Sequence, residues 1–178
     1  TARSGTDSTD YTDGTDYTYS ESVDRVLPSD YTSAARYIHT NHCPNHAHGV
    51  VGHPNRAVMK DSYYVFAAYP MLSANPGVDV RYAGGSVGVL FSGAMVYSDY
   101  AGPAHGPARS YETSAAYLEG DTFDACGCHA DSDTLPSYHC HQPPSCLLAQ
   151  LGADRAFHSP QIGWVADGFP LYGPNGLD

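Results

Sequence analysis

Between Phe123 and Gly176 the chain gathers an unusual density of nitrogen and sulfur ligands: Cys126, Cys128, His129, the run Tyr138-His139-Cys140-His141, Cys146 and His158. If residues 138–141 are extended, side chains two apart share a face, so His139 and His141 converge while Tyr138 and Cys140 point the other way. Two imidazoles at that spacing can hold one ion, and His129 can complete a set of three. Three neutral imidazoles with an open position suit zinc or copper. His158, and His42 and His46 from Asn41-His42-Cys43-Pro44-Asn45-His46, are candidates for a fourth ligand or for partners that orient the others. The same histidines would equally serve a loop-rich domain by hydrogen-bonding its backbone. His105 reads as an ordinary loop residue.

Oxygen ligands are the weaker case. Glu119, Asp121, Asp124, Asp131 and Asp133 lie close together, but their spacing does not match a helix-flanked calcium loop, so calcium ranks below zinc and copper. Asp124 and Asp167 also read as turn formers, accepting backbone N–H groups, and Asp167-Gly168 is a strong turn pair. A nucleophile is harder to find. Ser159 follows His158, but a nucleophile and its base must meet in space with an orienting acid, and sequence adjacency does not supply that. No Gly-x-Ser-x-Gly elbow, phosphate-cradling loop or dinucleotide fingerprint occurs. The case for an enzyme rests on the histidines alone, and no catalytic set is complete.

The elements that must position these residues read mainly as β. Ser62 to Tyr69 has the aromatic and β-branched content of a strand, as does Val87 to Tyr97, where Gly88 and Gly93 suggest a bulge or a close backbone approach. Ile162, Trp164 and Ala166 alternate before Asp167-Gly168, and Phe169 and Leu171 return, which predicts a hairpin. A short helix is expected over Cys146 to Leu151, with Ser145 as its cap and Gly152 as its stop. A second is expected over Tyr31 to Tyr37. With 13 prolines punctuating the rest, the expectation is a compact sandwich or barrel-like β domain with long loops and one or two short helices.

Composition limits the partners. The chain has 178 residues, 42% of them hydrophobic, which is enough for one domain with a core. A net charge of −11, with Lys60 the single lysine, argues against nucleic acid, since phosphate binding needs clustered cations. Anionic membranes would repel it, and no apolar run approaches the roughly 20 residues of a membrane helix. Five cysteines and 15 tyrosines beside scarce lysine fit an oxidising, extracellular setting. The opening at Thr1, without a signal-like segment, is what processed, exported material would show.

Four blocks of the chain resemble the YHYH domain family. They are Asp124-Ala125-Cys126-Gly127-Cys128-His129, Tyr138-His139-Cys140-His141, His158-Ser159-Pro160-Gln161-Ile162-Gly163-Trp164 and Asp167-Gly168-Phe169-Pro170-Leu171-Tyr172-Gly173-Pro174. Asn41 to His46 and Val87 to Ala94 resemble two further family blocks, so the likeness spans roughly residues 37 to 176. It implies a secreted domain type more than a reaction. Against the family pattern, Cys128 stands where glycine is usual and Cys140 where the second tyrosine is usual. The paired departure implies a Cys128–Cys140 disulfide, with Cys126 and Cys146 as a second bridge and Cys43 left over. A cysteine-rich zinc site is the competing reading, because sequence cannot fix connectivity.

Residues 1–22 form a separate tail, and 23–178 the domain. In the tail threonine recurs every third residue, at Thr6, Thr9, Thr12, Thr15 and Thr18, mostly followed by aspartate. A period of three matches polyproline II, which would align the threonines on one edge as O-glycosylation candidates, there being no Asn-x-Ser/Thr sequon. A solvated acidic linker is the plainer alternative. Tyr11, Tyr17 and Tyr19 favour a partner-bound tail. The expectation is therefore an extracellular structural or assembly subunit, self-associating into a filament or fibre through this tail, with a disulfide-stabilised and metal-stabilised domain. The alternative is a secreted metal-binding protein or metal-dependent enzyme centred on His129, His139 and His141.

Overall fold

The computed structural model describes residues 19–21, 34–48, 56–74, 77, 85–102, 113–130 and 137–176. The five repeat threonines, His105, Asp131, Asp133 and the first part of the helix expected over residues 31–37 lie outside them. Nine strands are described, in two sheets. The smaller is antiparallel in the order β1 (Tyr19–Glu21), β2 (Ala35–Thr40), β3 (Ser62–Ala67). The larger runs β6 (Cys128–Ala130), β7 (Tyr138–Cys140), β5 (Met95–Tyr97), β4 (Ser86–Leu90), β8 (Gln161–Val165), β9 (Pro170–Tyr172). Its pairs are antiparallel except β5 with β7. The fold is a β sandwich with loops and two short helices, α1 (Ala115–Glu119) and α2 (Ser145–Gln150).

Alternation along the strands builds two cores on the two faces of the larger sheet. Val89 and Met95 point toward the smaller sheet and pack with Ile38 and Phe66. Leu90, one residue on, points away and joins Ala94, Cys128, Tyr138, Cys140, Ile162 and Leu147 of α2. Burying those side chains is the main stabilising term, at about 25 cal/mol per Å² of apolar surface. Arg36 of β2 ties the sheets together. It is only 5% exposed, donates to the carbonyls of Ala67, Ala68 and Gly168, and lies 3.4 Å over the Trp164 ring. A buried guanidinium survives there because its donors meet carbonyls and its face meets an aromatic ring.

Three expectations need correction. Residues 35–37 are strand: β2 alternates in burial and pairs with β3 at all six positions, from Ala35↔Ala67 to Thr40↔Ser62. Val87 to Tyr97 is two strands, β4 and β5, because the chain turns at Phe91–Gly93 and the Leu90 amide donates to the Ala94 carbonyl. Ser145 does not cap α2; its hydroxyl donates to the Ala125 carbonyl, and Pro144 occupies the cap position. The helix does stop at Gly152, where the Gly152 and Ala153 amides close onto the Ala149 and Leu148 carbonyls. Gly88 lies at the register shift of β4, and a Cβ there would stand 2.6 Å from the Trp164 carbonyl oxygen. The Asp167-Gly168 turn joins β8 to β9, with Gly168 at φ +91°.

Candidate metal centre

Strands β6 and β7 form the outer edge of the larger sheet, and their register sets His129 opposite His139 and Cys128 opposite Cys140. The period of two then separates the chemistry. His129, His139 and His141 turn to one face, where Nε2 of His139 lies 3.0 Å from Nε2 of His129 and 3.1 Å from Nε2 of His141. Tyr138 and Cys140 turn to the α2 face.

The outer nitrogens of these rings fix the tautomers. Nδ1 of His139 faces the Ser137 carbonyl at 3.0 Å and Nδ1 of His141 faces the Ser98 carbonyl at 2.6 Å. A carbonyl can only accept, so both Nδ1 atoms carry the proton. Nδ1 of His129 lies 2.6 Å from the Thr122 hydroxyl, which donates its own proton to the Glu119 carbonyl and so accepts from the ring. With the rings neutral, all three Nε2 atoms are then lone pairs aimed at one another. Lone pairs 3.0 Å apart with no proton between them repel, and a shared cation removes the repulsion. A zinc or copper ion about 2.0–2.1 Å from each imidazole sets ligand nitrogens about 3.3 Å apart, within a small outward shift of the observed spacing. The residues therefore fit a first-row divalent ion.

Burial favours the neutral form of His139. His139 is 2% exposed, and its pKa falls to about 3, first through burial and then through the charge of His129, with His141 adding to the effect and the Ser137 carbonyl opposing it. Tyr97 stacks on His139 at 3.8 Å between centroids, and Phe123 stands edge-on to His129 at 4.7 Å. Glu119, at the end of α1, brings its carboxylate to 3.4 Å from Nε2 of His129 and 3.7 Å from Nε2 of His141. Its charge favours a bound cation, and it is the fourth oxygen or nitrogen donor that could close the site. Sequence reading places Glu119 only at the head of an acidic stretch. No spacing signals it, because α1 and the 3-10 turn Gly120–Thr122 carry both Glu119 and Thr122 to the histidines.

Other candidates go elsewhere. His158 is exposed, its Nδ1 donates to the Ser159 carbonyl, and its ring stands edge-on to Tyr172. His42 is buried against Tyr64, whose hydroxyl lies 3.2 Å from its Nε2. His46 lies on the opposite side, with Nδ1 3.2 Å from Sγ of Cys126 and its ring edge-on to Tyr138. Asp124 holds a turn: Oδ1 accepts the amides of Cys126 and Cys128, and Oδ2 accepts the Tyr138 hydroxyl at 2.6 Å. Burial, that hydrogen bond and the Asp124 charge all push the Tyr138 phenol upward. The cysteines pair as Cys126–Cys146 and Cys128–Cys140, with Cα separations of 5.0 and 4.2 Å. Cys43 is a buried thiol whose pKa burial raises.

The family model described as YHYH protein matches residues 62–178. The chain belongs to the YHYH family. Searches of curated proteins and of solved structures return no match. The YHYH segment starts at the first residue of β3, yet β2 precedes it in sequence and pairs with β3 throughout. The second tyrosine of the family's name is Cys140 here, and it faces the same core as Tyr138.

Proposed function

We propose that this YHYH protein is an extracellular assembly subunit: a β domain fastened by two disulfides and by a metal ion at the three histidines, joined into a filament through its N-terminal tail. The observation that carries this reading is the smaller sheet. Its edge strand β1, Tyr19–Glu21, is the end of the tail, so the Thr-Asp-x repeat leads directly into the sheet. The far edge among the described strands, β3, presents Tyr63 (71% exposed) and Val65 (59% exposed), with Tyr37 beside Val65 on β2. Met71 and Leu72 extend the exposed apolar surface. Monomeric proteins rarely leave aromatic side chains on an open strand edge, since it invites pairing with another chain. A tail from a second copy, added to β3 or laid across this face, would cover them, and such a head-to-tail contact propagates without closing. The threonine edge of the tail would carry O-linked sugars outward.

Disulfides and the lack of any described helix long and apolar enough to cross a membrane accord with an exported protein. Removing residues 1–18 tests the assembly reading. Filaments seen by electron microscopy for the full chain should be lost from the shortened one, with the fold intact by circular dichroism; filaments that persist would count against it.

A second reading is favoured by the converging Nε2 atoms. In it the protein is a secreted metal-binding protein or metal-dependent enzyme, with His129, His139 and His141 as ligands and Glu119 as a fourth donor or as the base beside a bound water. The ion would supply Lewis acidity. This reading predicts one zinc or copper per chain, independent of the tail.

A further inference from the structure

The second group of metal-capable side chains lies on the opposite face of the β6–β7 edge from the three histidines. His46, Cys126 and Cys146 bring one ring nitrogen and two sulfur atoms within 4.8 Å of one another. Nδ1 of His46 is 3.2 Å from Sγ of Cys126. The two disulfides differ sharply in surroundings. Cys128 and Cys140 face each other across the β6–β7 ladder, both buried in the core beside Leu90, Ala94 and Leu147. Cys126–Cys146 joins the turn before β6 to the first turn of α2, and both Cys146 and His46 are partly exposed. A thiolate reductant attacks a disulfide along a line through its two sulfurs, so access decides which bridge opens.

We propose that Cys126–Cys146 is a reducible bridge that conceals a metal site, and that opening it frees two thiolates which, with His46, bind zinc or a similar thiophilic divalent ion. An external dithiol attacks Sγ of Cys146, the partly exposed residue of the pair, forms a mixed disulfide and expels Cys126 as thiolate. The second sulfur of the reductant then releases Cys146. The reductant leaves as its own disulfide, two electrons and two protons pass to the protein, and the two protons are lost when the ion binds both sulfurs. Two thiolates and one imidazole leave a fourth tetrahedral position for water. His46 contributes by its Nδ1, the nitrogen already against Cys126; that atom also donates to the Ala47 carbonyl at 3.0 Å, so ligation moves the ring proton from Nδ1 to Nε2. The Cys126 amide is already held by Asp124, and the Ser145 amide donates to the Cys126 carbonyl, so both cysteine-bearing segments stay anchored when the bridge opens. The site is separate from the three histidines and does not depend on them.

The test uses the full chain, oxygen excluded, with a graded dithiol treatment and cobalt(II) as the ion. Alkylation and mass spectrometry identify which bridge has opened. Selective opening of Cys126–Cys146 should add one cobalt per chain and a thiolate-to-cobalt charge-transfer band, which an all-histidine site cannot give. His46→Ala keeps both bridges and folds in the oxidised state; after reduction its cobalt affinity should fall by more than about tenfold. The proposal is overturned by reduction that opens Cys128–Cys140 first or unfolds the chain, by an opened bridge that gives no charge-transfer band, or by a band of equal affinity in His46→Ala.

Discussion

The two sheets of this YHYH domain are stabilised in opposite ways. In the larger, β6 and β7 are buried on both faces, with β6 stitched to β7 by Cys128–Cys140 and with three imidazoles beside Tyr97, Phe123 and Glu119. The smaller has one buried face, held by Ile38, Phe66 and the Arg36 guanidinium, and leaves Tyr37, Tyr63 and Val65 in solvent. Its described strands carry no cross-link. One sheet turns its side chains inward, whereas the other leaves apolar side chains exposed. Changes to the larger sheet should therefore cost stability or metal, and changes to the outer face of the smaller sheet should cost association alone.

The largest effect is expected at the β6–β7 ladder. Replacing Cys128 and Cys140 together by alanine releases a 12-residue separation between the bridged positions, and chain entropy alone makes that worth about 3 kcal/mol. Chemical denaturation should show the loss, with Cys126–Cys146 still formed by mass spectrometry. An unchanged midpoint would mean that the ladder does not depend on its bridge.

His139→Ala should come next, lowering zinc or copper affinity by about 100-fold or more, as titration calorimetry would measure, since loss of a ligand should exceed loss of a group that merely orients one. The metal-free protein gives a second readout. Unfolded His139 takes a proton near pH 6.5, whereas the folded residue takes it only near pH 3, so between those values the unfolded state binds the extra proton. Stability contributed by keeping the ring neutral is complete above pH 6.5 and is lost as pH falls toward 3, by up to about 1.4 kcal/mol per pH unit. His139→Ala should flatten that dependence. A variant as acid-sensitive as the parent would place the titrating group elsewhere.

The smallest effect on stability is expected on the smaller sheet. Val65→Lys changes an exposed residue of an edge strand, so the unfolding midpoint should move by no more than about 0.5 kcal/mol. A charge there blocks strand addition, and filament formation should fail. Filaments of normal appearance from Val65→Lys would remove β3 from the contact and erase the contrast between the sheets.

Much of this architecture can be read in the chain, and the exceptions have physical causes. The β8–β9 hairpin is legible because Asp167-Gly168 supplies both the side-chain acceptor and the positive φ that the turn needs. The shared face of His139 and His141 follows from strand periodicity alone. β2 misleads because Ala34, Ala35 and Arg36 favour helix locally, while its pairing with β3 and the buried Arg36 contacts are made with residues 22 to 132 positions away, which no short window along the sequence contains. The turn inside Val87–Tyr97 is hidden because Phe91 and Ala94 look like strand. Glu119 and Thr122 are invisible as partners of the three histidine rings for the same reason as Arg36: only the folded path of α1 and the 3-10 turn brings them there.

The most direct measurement is a cryo-electron microscopy map of the protein taken from its natural source without refolding. The assembly account predicts regular filaments in which residues 1–18 of one subunit lie against the β2–β3 face of the next, with sugar density on Thr6 to Thr18 and an ion among His129, His139 and His141. Dispersed monomers or small closed oligomers, with Tyr63 and Val65 still facing solvent, would contradict it.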